Sequence, residues 1–384
     1  MFWTRCLTER FEAWRPAVAA LSLVLVFAVV AIVFNGRDKT VAEPGPATAS
    51  IVPASLKQCR DCHQQEYDDF QKAPHLHTLQ PANSAAMRTR FAGKPVELPG
   101  VTFEFQDQGG QLLLGTDVVS TTVPFHWIFG SGQHAQTPVS VWENSEGRLE
   151  SIESILSWYP RGAGLAPTLG SSDAPPARGS RMFGTHWQHA KTLDCFGCHV
   201  TYLPRENGNV VWSELIAGVQ CERCHRNTAE HASGKTGFQM ERWSELDPLE
   251  SIHRCGECHR REDELPADEL VPTNPLLLRF APVGLSQSRC FQEQAAFRTG
   301  TGEQMRMDCL TCHNPHLPAE TNPEHYRQRC LECHGSGAHQ ASQCNAQPMT
   351  SQCLDCHMPK LQIQDHLTFT DHWIRVRKKP EDAQ

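Results

Sequence analysis

The chain spells Cys-x-x-Cys-His seven times: Cys59/Cys62/His63, Cys195/Cys198/His199, Cys221/Cys224/His225, Cys255/Cys258/His259, Cys309/Cys312/His313, Cys330/Cys333/His334 and Cys353/Cys356/His357. Residues three and four apart share one face of a helical turn. Two thiols and an imidazole so placed can reach the two vinyl groups of one porphyrin and bind its iron from below, and the pattern is the signature of covalent haem c attachment. Cys-x-x-Cys alone also serves zinc and iron–sulfur sites, but a His after every pair, in a chain with only 20 His in 384 residues, speaks for haem. Seven covalently bound haem c groups, each with its iron, are therefore expected. Fourteen of the 17 cysteines are used this way, leaving Cys6, Cys290 and Cys344. Cys290 and Cys344 are candidates for a disulfide if they share an oxidising compartment.

A hydrophobic fraction of 39% with a mean hydropathy of −0.45 is low for a chain of this length. Porphyrin faces would supply the missing apolar area, so the apo-chain should fold poorly. The formal net charge of −8, made more negative by haem propionates, excludes nucleic acid as a partner. The basic run at 375–379 reads as a solvated tail. Near the start, residues 17–34 form an apolar run broken only by Ser22. It is long enough to be read as a transmembrane anchor, with residues 1–16 cytoplasmic and 35–54 a linker rich in Ala and Pro. A cleaved signal peptide ending near Ala49 is the alternative. Residues 55–384 then form a periplasmic heptahaem domain, and the protein is expected in the inner membrane as a single-pass chain.

More than a hundred residues separate the first motif from the second, against intervals of roughly 20 to 55 between the others. Within that gap Val101, Phe103 and Phe105 alternate with polar residues ahead of a Gly-Gly turn, and a second alternation flanks Asn144-Ser145-Glu146-Gly147. A small β-rich insertion over about 95–157 is expected. Elsewhere short helices should follow the motifs, as at 63–71, where Pro74 ends the segment.

Each iron also needs, or lacks, a ligand on its second face, and that choice separates electron transfer from catalysis. Thirteen histidines stand outside the motifs, at 75, 77, 126, 134, 186, 189, 231, 253, 316, 325, 339, 366 and 372, so bis-histidine ligation of all seven irons is within supply. Short tethers to a motif favour His75, His231 and His316. His134 and His372 are further candidates, and His186 or His189 should furnish one more ligand.

Several phrases are recognisable. Cys59-Arg60-Asp61-Cys62-His63 followed by Tyr67, Phe70 and Ala73-Pro74-His75, then Gly218-Val219-Gln220-Cys221-Glu222-Arg223-Cys224-His225 ending in His231, resemble the multihaem cytochrome c superfamily that includes tetrahaem acceptors of hydroxylamine oxidation. Cys309 to His316, and Cys356-His357-Met358-Pro359-Lys360 followed by Thr370-Asp371-His372, resemble proteins with doubled haem motifs. The resemblance covers about 55–376. It implies closely spaced haems, mostly bis-His ligation, and a fold that is mainly α with irregular loops and a small β-rich insertion, here behind an N-terminal transmembrane helix. Nitrite-reducing relatives carry Cys-x-x-Cys-Lys at the reactive haem, and that pattern does not occur here. The expected function is electron transfer on the outer face of the cytoplasmic membrane, with redox proteins of a respiratory chain as partners. The alternative is oxidation or reduction of a small inorganic nitrogen or sulfur compound at one open-faced haem. Oligomeric state is not legible.

Overall fold

The structure, a computed structural model, describes residues 56–171, 179–234, 237, 240–294, 305–335 and 353–376. Residues 17–34, Cys6, His339 and Cys344 lie outside the described residues, as do 377–379 of the basic run.

Strong alternation between 96 and 159 builds two sheets. The first has four antiparallel strands in the order β2 (Val96–Leu98), β3 (Val101–Gln108), β4 (Gln111–Thr116), β5 (Val123–Phe125). Gly109 and Gly110, both at positive φ (59° and 81°), close the β3–β4 hairpin and set Phe105 opposite Leu114, as a two-residue loop of this type requires. Every second residue of β3 (Val101, Phe103, Phe105) is buried. They pack with Leu112, Leu114 and Phe125 on Met87 and Phe91 of a helix, Ala85–Phe91. Phe105 meets Phe91 and Phe125 edge to face, at centroid distances of 5.3 and 5.8 Å.

The second sheet has five strands in the order β1 (Leu79–Pro81), β6 (Trp127–Phe129), β7 (Thr137–Glu143), β8 (Leu149–Ser154), β11 (Gly184–Trp187). Its β7–β8 turn is held by the Asn144 side chain, whose Oδ1 accepts from the Glu146 and Arg148 amides at 2.9 and 3.0 Å. A hairpin of β9 (Leu156–Tyr159) and β10 (Gly164–Pro167) follows. Shorter hairpins lie between the second and third motifs and, after the last one, at Lys360–Gln364 with Leu367–Thr370.

The expected fold class needs correction. β-structure runs from Leu79 to Trp187 and recurs at the C-terminal end, so the fold is mixed α and β rather than mainly α with a small insertion. Edge strands such as Leu79–Pro81 and Gly184–Trp187 are too short to show a period of two, and many motif helices last only a turn or two, which lowers the helical share. The transmembrane helix is not supported either: among the described residues no helix is long and apolar enough to cross a membrane. Nor does the start of the basic run behave as a solvated tail. The Arg375 guanidinium pairs with Asp371 at 3.0 Å and donates to the Pro272 carbonyl at 3.2 Å.

Candidate metal centres

Every motif sits on helical backbone. Three end the helices His189–His199, Pro248–His259 and Pro323–His334, three ride on the shorter helices Leu56–Cys62, Cys221–Cys224 and Cys353–His357, and Cys309–Thr311 is a single 3₁₀ turn. The helix before His259 starts at a full capping box: Asp247 accepts from the Leu249 and Glu250 amides at 2.8 and 3.0 Å, and Glu250 reaches back to the Asp247 amide at 3.1 Å. Pro248 is at its first position, where no N–H is needed. The helix before His199 is seated on the five-stranded sheet by Phe196, which is fully buried against Phe129 and Trp212.

Four motif histidines each face a second histidine. Ring centroids lie 6.2 Å apart for His63 and His231, 6.2 Å for His75 and His259, 6.0 Å for His225 and His316, and 6.3 Å for His313 and His372. An imidazole nitrogen binds a metal such as zinc at about 2.0–2.1 Å, so two rings on opposite sides of one ion have centres roughly 6 Å apart. The separations fit a single iron between each pair. Among the described residues no group of three or more His, Cys, Asp or Glu could hold a bare metal ion. A zinc site needs four ligands, whereas two axial imidazoles suit an ion whose remaining ligands come from a macrocycle.

The electrostatics agree. Burial pushes the pKa of His259 and of His372 down to about 4, and lowers those of His75, His199, His225 and His313. All six are held neutral, the form that binds metal. His259 is nonetheless an exposed residue, as one lining an internal slot would be. Hydrogen bonds to Nδ1 leave Nε2 for the metal, a common arrangement for ligating histidines. His199, His357 and His372 hydrogen-bond through Nδ1 to the carbonyls of Thr78, Arg375 and Thr370, at 2.9, 3.2 and 2.9 Å.

The second histidine of each pair never comes from the stretch that follows its own motif. His75, tethered to the first motif, faces His259 of the fourth, and His231, six residues after the third, faces His63 of the first. His316 faces His225, and His372, which follows the seventh motif, faces His313 of the fifth. For His75 the cause is a long-range clamp: Gly218, at φ 74°, approaches so closely that a Cβ would stand 2.1 Å from the Leu76 carbonyl. Val219 donates to the His75 carbonyl at 2.9 Å and Thr78 to that of His199 at 3.1 Å. The segment is thus clamped between the second and third motifs with its ring toward the fourth.

Other expected ligands lie elsewhere. His134 stacks on Phe369 at 4.9 Å, and His186 meets Trp142 edge to face at 6.0 Å. His189 accepts the Leu149 amide on Nδ1 at 2.9 Å. None of the three has a ring contact with a motif histidine among the described residues.

The motifs also touch one another. Cys59 contacts Cys221, Cys198 contacts Cys258, and Cys255 contacts Cys309, each within hydrogen-bonding reach. The helix that ends in the sixth motif meets the fifth, where His325 Nε2 lies 3.4 Å from the Cys312 carbonyl oxygen, and packs against the helix Cys353–His357 of the seventh. Arg226 pairs with Glu257 at 2.5 Å, tying the third motif to the fourth. Asp308 ties the fourth to the fifth: it caps the Cys309 turn through Thr311 and accepts from Ser251, one turn before Cys255, at 2.8 Å. The seven motifs therefore form one connected series, first–third–fourth–fifth–sixth–seventh, with the second branching from the fourth.

The profile of the family Cytochrome c554 and c-prime matches residues 58–98 and 169–226. A solved structure, the outer cell wall cytochrome OcwA, shares the fold with a TM-score of 0.50 at 15% identity, covering 83% of this chain and 78% of that one. The family match spans about a quarter of the chain, which in those segments is similar to multihaem c-type cytochromes. No curated protein matches it. Covalently bound haem c is what likeness to that family implies for the Cys-x-x-Cys-His motifs. The expected placement of the chain as a single-pass inner-membrane protein is not supported: among the described residues no helix is long and apolar enough to cross a membrane.

Proposed function

We propose that this multihaem cytochrome binds seven haems c, one per motif, and passes single electrons along them between redox proteins of a respiratory chain. The cysteine pairs at 59/62, 195/198, 221/224, 255/258, 309/312, 330/333 and 353/356 would hold the porphyrins, and the motif histidines would take the first axial position. His231, His316, His75 and His372 would take the second at the first, third, fourth and fifth motifs. Bound iron supplies the one-electron couple.

What the chain contributes is position. At those four motifs the paired imidazoles would hold iron between them and leave no place for substrate. The Nδ1 hydrogen bonds fix ring orientation, and contacts between motifs would keep neighbouring porphyrins close. The observation that carries the reading is the unbroken series of motif contacts together with the four imidazole pairs near 6 Å.

The test is a coulometric and spectroscopic titration of the purified holoprotein. Seven electrons per chain, reversible, with the haem mass to match, are expected, and cyanide should leave the four paired sites unchanged. A lower electron count, or cyanide binding at all sites, removes the proposal.

A further inference from the structure

Two arginines lie over the ring of Phe280. The guanidinium carbon of Arg279 lies 5.4 Å from its ring centroid and that of Arg260 lies 6.0 Å away. Burial, and after it repulsion from Arg260, lowers the pKa of Arg279. Arg279 is half-buried, its Nε is sealed from solvent, and among the described residues none of its N–H groups has an acceptor. A guanidinium has five such donors in a planar fork, and burying a cation without acceptors is costly. Glu153 is its nearest compensating charge, but that carboxyl accepts from the Trp187 indole at 3.0 Å and is itself pushed up by burial, toward its neutral form.

Arg260 is unusual in a second way. It directly follows His259 and holds φ 68°, ψ 145°, in a region that residues other than glycine rarely enter. Glu264 meets its guanidinium at 3.3 Å, and more than a third of each side chain is exposed, so that pair contributes little. The backbone distortion carries the side chain of the residue after an axial histidine back over Phe280 toward the fork of Arg279.

We infer that Arg260 and Arg279 form a carboxylate-binding site, and that its occupant is a propionate of the haem at Cys255, Cys258 and His259. The inference rests on the haem reading above. The chemistry is that of a planar, multidentate cation pair recognising a carboxylate, and a free carboxylate from solution is the other source of the same chemistry.

The experiment is a potentiometric titration of the holoprotein and of Arg279→Gln and Arg260→Gly, with and without malonate, after haem content and low-spin character have been established for each. Arg260→Gly also removes the backbone strain, so it should fold at least as well as the native chain. If the inference holds, each variant shifts one redox component downward, because losing a positive charge disfavours the reduced iron. The shift should be about tenfold in the reduction equilibrium, or about 59 mV for one electron, and malonate should not move the native protein. Unchanged potentials in both variants overturn the site. A saturable malonate effect that Arg279→Gln abolishes overturns the propionate and leaves a site for free carboxylates. A native protein without haem at the fourth motif defeats the haem reading instead, and is recognised before the variants are compared.

Discussion

At the scale of single residues, the histidine pairs differ in a way spectroscopy can see. His225 and His316 are near parallel, with an interplanar angle of 18°, whereas His75 and His259 are near perpendicular at 87°. Mutual ring orientation sets the splitting of the iron d orbitals, so the two sites should give separate low-spin ferric signals by electron paramagnetic resonance, the perpendicular one more anisotropic. His316→Ala should abolish the near-parallel signal and create one high-spin centre. His75→Ala should do the same to the anisotropic signal. If His316 served the motif it follows in sequence, His316→Ala would spare the near-parallel signal. Glu153 offers a test independent of haem spectra. Burial raises its pKa, against the smaller opposing effects of the Trp187 hydrogen bond, Lys191 and Arg279. A carboxyl with a raised folded pKa destabilises the fold as pH rises above the unfolded value, about 4.3 for glutamate. Glu153→Gln should therefore melt higher than the native chain at neutral pH, with the difference shrinking to nothing in acid. A lower melting temperature at neutral pH would show that the charged form is the stabilised one.

At the scale of elements, two pieces of backbone carry unusual responsibility. Asp247→Ala removes both acceptor contacts of the capping box on the helix that ends in the fourth motif, and should cost about 1 kcal/mol in thermal unfolding. The other piece is the C-terminal strap 371–375. Ser288 Oγ donates to the His372 carbonyl at 3.1 Å and accepts from the Ile374 amide at 2.8 Å, while the Arg375 carbonyl meets Nδ1 of His357. One strap thus presents His372 to the fifth motif and orients the axial histidine of the seventh. A Cβ on Gly284 would stand 2.7 Å from the Trp373 nitrogen and 2.9 Å from the His372 carbonyl carbon. Gly284→Ala should displace the strap, at a cost of about 1–3 kcal/mol for overpacking, and convert one low-spin haem to high-spin at the fifth motif. An unchanged spectrum would mean that His372 is not held there by the strap. These elements also mark how far sequence reading reaches. The β3–β4 hairpin was readable because alternation and a Gly-Gly turn are local signals, and the motifs because attachment chemistry demands a fixed spacing. Which histidine faces which motif was not readable, since the partners of His75 and His372 are set by long-range clamps at Gly218 and Ser288 that no local pattern announces. The extent of β-structure was underestimated for a similar reason: a three-residue edge strand such as β1 exists only because β6 is there to pair with it.

At the scale of the whole molecule, apolar packing is distributed unevenly. The first sheet is closed by Phe91, Phe103, Phe105, Leu112, Leu114 and Phe125, all nearly or fully buried, and the second by Leu79, Phe129, Val139, Leu149 and Phe196. Among the described residues beyond the third motif the buried hydrophobic cluster consists of Ile252, Leu285 and Phe291, and no residue of the helix Pro323–His334 is fully buried. A segment that buries so little apolar surface cannot offset the conformational entropy of ordering its chain. On the proposed reading the porphyrins would supply the missing apolar surface, and the C-terminal half would depend on them more than the β-structured half does. Chain made without haem attachment should therefore come apart unequally. Limited proteolysis of such apoprotein should degrade the region from about Met240 onward while leaving a resistant fragment that spans β1 to β11, and the holoprotein should resist throughout. Uniform digestion of the apoprotein would show that the sheets, too, depend on haem for their stability.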